Sequence, residues 1–66
     1  MLIANCIKMS SKHLKGYYRG RVRCYGEREG KTELLWQVLT PTYWHTANDA
    51  VIDAIKEKEY LRQQVK

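Results

Sequence analysis

Three arginines occupy alternate positions in Arg19-Gly20-Arg21-Val22-Arg23, and Tyr17 and Tyr25 continue the alternation at either end. An arginine side chain is always charged. It presents a planar fork of N–H donors that fits a carboxylate, a phosphate, or the O6 and N7 edge of guanine. Side chains on a β-strand alternate between faces. On a strand, Tyr17, Arg19, Arg21, Arg23 and Tyr25 therefore share one face, and Tyr18, Gly20, Val22 and Cys24 share the other. Strand residues two apart are separated by roughly 6.5–7 Å, near the phosphate spacing of a nucleic-acid strand, so a row of arginines can follow a backbone. Lys15 adds a cation just ahead of this row. The candidate nucleic-acid contacts are Arg19, Arg21, Arg23, Tyr17, Tyr25 and Lys15. The tyrosines, with Tyr43 and Trp44, can stack on bases where they are exposed. The alternative is a protein-interaction module or inhibitor that docks this basic face, or an edge strand, on a partner protein with an acidic surface. A solvated face neutralised by Glu27, Glu29 and Glu33 is the plainest reading of all.

Other chemistry finds little support. Cys6, Cys24, His13 and His45 are possible zinc ligands, but no two stand at a C-x-x-C or H-x-x-x-H spacing, so no metal site is expected. No nucleophile, base and oxyanion donor group together, and no glycine-rich phosphate loop occurs. A chain this short also leaves little room for a pocket. The expectation is a protein without enzymatic activity or cofactor. Asp49, Asp53, Glu57 and Glu59 read as a solvated helix face.

The chain has 66 residues and a formal charge of +5. All of that excess lies in residues 1–45, and residues 46–66 balance. Such one-sided charge suits an anionic partner. Sixty-six residues make one small domain with a thin core. No apolar run approaches the roughly 18–20 residues of a membrane span. Met1–Ile7 lacks the basic lead and apolar block of a signal peptide, so a cytoplasmic setting with both cysteines as free thiols is expected.

The elements that must carry the arginines follow from local pattern. Residues 2–9 read as a first strand, with Ile3, Ile7 and Met9 on one face and Asn5 between them. Ser10–Gly16 is a polar connection. Residues 17–25 are the second strand. Gly26–Gly30 reads as a five-residue hairpin loop with two acids at its tip, and residues 32–39 as the third strand. A hairpin centred on Arg28 sets Val22 opposite Leu34, Gly20 opposite Trp36 and Arg23 opposite Glu33. Pro41 is expected to end the strand, since proline cannot donate to a ladder. Thr46 and Asp49 form a capping-box variant. From there to about residue 62 a helix presents Ala47, Ala50, Val51, Ala54, Ile55, Lys58 and Leu61 as one stripe, and Gln63–Lys66 is expected to fray. The fold class is α+β: a three-stranded antiparallel meander packed on one C-terminal helix. Val22, Leu34, Trp36, Val51, Ala54 and Ile55 are the expected core. The arginines are expected on the opposite, open face, mostly exposed.

Two segments resemble known families. Tyr18-Arg19-Gly20-Arg21-Val22-Arg23 resembles the Tyr-Arg-Gly-Val-Arg opening strand of the plant ethylene-responsive-factor DNA-binding domain, with one residue added. Thr46-Ala47-Asn48-Asp49-Ala50 is similar to the start of that domain's helix. The strand-strand-strand-helix layout is also that of the arm-binding domain of phage tyrosine recombinases. Both families lay the sheet in the DNA major groove. The resemblance implies a small DNA-binding module of the phage or mobile-element kind, with Arg19, Arg21, Arg23 and Trp36 as contacts.

Overall fold

The computed structural model describes residues 1–64. The elements are β1 (Leu2–Lys8), β2 (Tyr18–Arg28), β3 (Lys31–Trp44) and α1 (Ala47–Gln64). The strands form one open antiparallel sheet in the order β1-β2-β3, and the helix follows it. This is the expected α+β meander, with the arginine-bearing strand in the centre. Helix α1 continues through Gln63 and Gln64 rather than fraying there, while Val65 and Lys66 lie outside the described residues. No described helix is long and apolar enough to cross a membrane.

Strand β1 turns back through Ser11–Gly16. Leu14 N–H donates to Ser11 O, Tyr17 N–H to Leu14 O, and Met9 N–H to Tyr17 O. Gly16 takes φ +92°, a conformation costly for any residue with a Cβ. At the helix entrance Thr46 Oγ1 accepts from Asp49 N–H at 3.2 Å and donates to Asp49 Oδ2 at 2.8 Å. The cap predicted from spacing is therefore present, and the acid sits at the positive end of the helix dipole.

The principal-axis extents are 41 × 24 × 15 Å, so the molecule is one sheet and one helix thick. The core is correspondingly small. Val22, Ala50 and Ala54 are fully buried, and Thr40 is buried beside them. Their closeness rests on Gly20. A Cβ at that position would lie 2.7 Å from Ala50 O, 2.9 Å from Thr40 Oγ1 and 3.0 Å from Ala54 N. The missing side chain lets helix backbone meet strand backbone, and the alanines on α1 serve the same approach. Gly20 N–H donates to Thr40 Oγ1 at 3.1 Å, which satisfies the buried hydroxyl. Farther back along the sheet, Trp44 Nε1–H donates to Asp53 Oδ2 at 3.0 Å and ties the end of β3 to the helix.

Several sequence expectations need correction. The hairpin turn is Glu29-Gly30, not Gly26–Gly30, because Arg28 pairs with Lys31 and the ladder reaches the tip. Both turn residues have positive φ, 55° and 76°. This is the geometry of a two-residue turn whose twist matches its strands. The shorter turn sets Val22 opposite Val38 instead of Leu34, Cys24 opposite Trp36, and Arg23 opposite Gln37. Glu33 faces Gly26. A tryptophan therefore does not cover Gly20; helix α1 and Thr40 do. Strand β3 also passes through Pro41 to Trp44. Proline is tolerated there because β3 is an edge strand with a register shift at that point. Among the expected core residues, Val22 and Ala54 are buried and Val51 is half-buried. Leu34, Trp36 and Ile55 are exposed. Leu34 pairs with Tyr25 past the register shift that follows Cys24, so it shares the face of Tyr25 and not that of Val22, and Ile55 lies on the exposed part of the helix.

Candidate nucleic-acid interface

The arginine face is built by all three strands. Strand β1 sets Ile7, Asn5 and Ile3 beside Arg19, Arg21 and Arg23, and β3 sets Tyr43, Leu39 and Gln37 on their other side. The helix packs on the opposite face, through the buried Gly20 and Val22.

Each guanidinium is held in the same way. Arg19 Nε–H donates to the carbonyl oxygen of Thr40. Arg21 Nε–H donates to Asn5 Oδ1 at 2.9 Å. Arg23 Nε–H donates to Gln37 Oε1 at 3.0 Å, and its Nη1 donates to Tyr25 Oη at 3.2 Å. Arg19 also lies over the Tyr43 ring, with Cζ 5.2 Å from the centroid, within cation–π range. Every acceptor is neutral. Among the described residues the one ion pair is Arg62 with Glu59, 3.4 Å apart on the far helix surface. Glu27, Glu29 and Glu33 neutralise none of the three arginines, so the face keeps its charge.

This arrangement has a chemical consequence. The Nε bonds orient the planes of the guanidinium groups and leave their outer N–H groups free to donate, apart from the contact to Tyr25. The amide oxygens of Asn5 and Gln37 are spent on arginine, which leaves their NH₂ groups for a ligand. The face consequently offers many donors and few acceptors, and it complements a partner rich in anionic or lone-pair oxygens. The arginines are half-buried rather than mostly exposed, since Asn5, Gln37 and Tyr43 reach in against them from both sides.

The other candidates divide. Tyr25 belongs to the face through its bond to Arg23. Tyr17 lies one residue ahead of β2, and its ring packs against His45 with centroids 4.6 Å apart. Lys15 is exposed in the β1–β2 turn, outside the sheet. Trp36 pairs with Cys24, whose side chain belongs to the helix-side face, so Trp36 does not join the arginines. The sequence pattern does not single out Asn5 or Tyr43 as arginine partners, and it sets Gln37 opposite Arg19 where the structure sets it opposite Arg23. Asn5 carried a signal, being the polar residue between Ile3 and Ile7, whereas Gln37 and Tyr43 needed the true register. Cys6 and Cys24 are free thiols. No group of three His, Cys, Asp or Glu side chains gathers among the described residues. Compared with family models, with curated proteins and with solved structures, the chain matches none.

Proposed function

We propose that this protein is a non-enzymatic module that binds nucleic acid, DNA in the first instance, through the face bearing Arg19, Arg21 and Arg23. One observation carries the reading: three neighbouring guanidinium groups are each oriented by a neutral oxygen and contact no carboxylate. An arginine row kept for solubility or stability would gain from the nearby glutamates. Here the charge is fixed in place and left for a partner. The resemblance of Tyr18–Arg23 to a DNA-reading strand points the same way, as does the concentration of net charge in residues 1–45. An acidic protein surface is the competing partner for the same face.

Fluorescence anisotropy with a labelled duplex, repeated over a range of salt, tests this. Three arginine–phosphate contacts give a log–log salt slope of about −3, and Arg21→Ala reduces its magnitude by about one. Circular dichroism of that variant stays that of the parent, because Arg21 lies half-buried on the face away from the helix, where water can replace its bond to Asn5 Oδ1. Absence of binding to duplex or single strand at low salt ends the nucleic-acid reading. Capture of an acidic protein, lost in Arg21→Ala, would then favour the competitor.

A further inference from the structure

We infer that a single copy of this protein docks on a local twofold axis of duplex DNA and selects a self-complementary step, with Asn5 and Gln37 as the paired specificity-determining residues. The open face carries a twofold arrangement of its own. Arg21 stands between Asn5 and Leu39, and Arg23 stands between Ile3 and Gln37. A half-turn about an axis perpendicular to the sheet at Val22 exchanges Arg21 with Arg23, Asn5 with Gln37, and Ile3 with Leu39. The hydrogen bonds obey the same operation. Arg21 Nε–H reaches toward β1, to Asn5 Oδ1 at 2.9 Å, and Arg23 Nε–H reaches toward β3, to Gln37 Oε1 at 3.0 Å. The flanking aliphatics match too, Ile3 being 38% and Leu39 37% exposed.

Each half of this patch is built to donate. An arginine side chain has no acceptor, so each amide turns its oxygen to Nε and its NH₂ away. No buried side-chain nitrogen or oxygen among the described residues goes without a partner, so the NH₂ of half-buried Asn5 has water or a ligand to donate to. Gln37 is exposed on an edge strand. Each half therefore offers an arginine fork, an amide NH₂ and an aliphatic surface, a set that complements the acceptors and methyl groups of a DNA groove.

Symmetry selects the occupant. Duplex DNA has twofold axes perpendicular to its length, which relate its antiparallel strands. A single strand has a direction and no such axis. On a duplex axis, the Arg21–Asn5 half and the Arg23–Gln37 half meet equivalent groups on the two strands. DNA-binding proteins commonly match a palindrome by dimerising. Here three strands of one chain supply the symmetry. It ends at the margins, where Arg19, bonded to the Thr40 carbonyl, corresponds to Tyr25. The matched step is accordingly short. Docking of this kind rests on the nucleic-acid reading of the face.

Selection from a pool of duplexes with a randomised centre, followed by sedimentation of the complex, tests it. The enriched sites are self-complementary at their centre, and each complex holds one protein per duplex. Replacing one half of the site weakens wild-type binding about tenfold. Asn5→Ala and Gln37→Ala each bring that ratio to about one, because the variant can lay its empty half on the replaced half. An amide that merely packed against its arginine would leave the ratio unchanged, and that result overturns the inference. Enriched sites without internal symmetry also overturn it, as does a palindrome occupied by two copies, or tighter binding to the separated strands than to the duplex. In all of these outcomes the face still binds nucleic acid. No binding to any member of the pool at low salt removes both readings together. Should Asn5→Ala fail to fold, Gln37→Ala, on the exposed edge, decides.

Discussion

Gly20 shows how much a single residue governs here. It has no side chain between Arg19 and Arg21, and the helix backbone occupies the space. Two of the atoms that a Cβ would meet, Ala50 O and Ala54 N, are main-chain atoms and cannot rotate away. Gly20→Ala must therefore lift α1 or distort β2. Overpacking of this kind costs about 1–3 kcal/mol, and each kcal/mol lowers the melting temperature of a domain this size by roughly 4–8 °C. A melting temperature within a degree of wild type would mean that the strand and helix do not touch at this point. The need for close approach at Gly20 was legible in the sequence, because a glycine inside an alternating strand leaves a gap. Its occupant was not. The expected hairpin set Trp36 over Gly20, whereas the register places Trp36 opposite Cys24 and leaves the gap to Ala50, Ala54 and Thr40.

At the scale of elements, parity was legible and register was not. The faces of β2 follow from alternation alone, so the arginines and Val22 fall on opposite sides as expected. Between Arg21 and Cys24 the strand opposite is displaced by an even number of residues, Val38 in place of Leu34 against Val22, which keeps Trp36 and Val38 on their predicted face; the register shift between Cys24 and Tyr25 then moves Leu34 and Glu33 to the faces opposite those predicted. The error began at Gly26, whose glycine looks like the start of a loop. It lies inside the strand instead, with Leu35 packed over it: a Cβ there would meet Leu35 Cδ1 at 2.8 Å. The true turn places a glutamate at φ 55°. A left-handed conformation is unfavourable for most residues with a Cβ but accessible to asparagine. Glu29→Asn, which creates the favoured Asn-Gly hairpin turn, is expected to stabilise the protein by about 0.5–1 kcal/mol. The urea midpoint rises while the slope of the transition stays constant. A five-residue loop would make the substitution neutral.

At the scale of the whole molecule, thinness is the governing property. A single sheet, 15 Å deep with its helix, has no layer between its core and its binding surface. Residues of the central strand alternate between the two functions, and that is why composition and alternation disclosed so much of this architecture. The arginine settings were harder to read. Each depends on one polar partner from a neighbouring strand, and partnership across strands is fixed by a ladder that short-range pattern does not specify.

Thr40 spans that thin layer. Its carbonyl oxygen takes the Nε proton of Arg19 on the open side, and its hydroxyl takes the Gly20 amide proton beneath the helix. A ligand that draws the Arg19 guanidinium outward releases the carbonyl, and the Thr40 peptide plane can then reorient. The Gly20 amide, shielded from any ligand, becomes a rear-mounted reporter of occupancy. In heteronuclear NMR titrations with duplex DNA, the Gly20 cross-peak is expected to shift in step with the Arg19 Nε–H signal. In Arg19→Lys, which lacks that donor, it should hold still while binding persists through Arg21 and Arg23. A Gly20 resonance unmoved at saturation of the wild type would show that Thr40 does not transmit between the two sides.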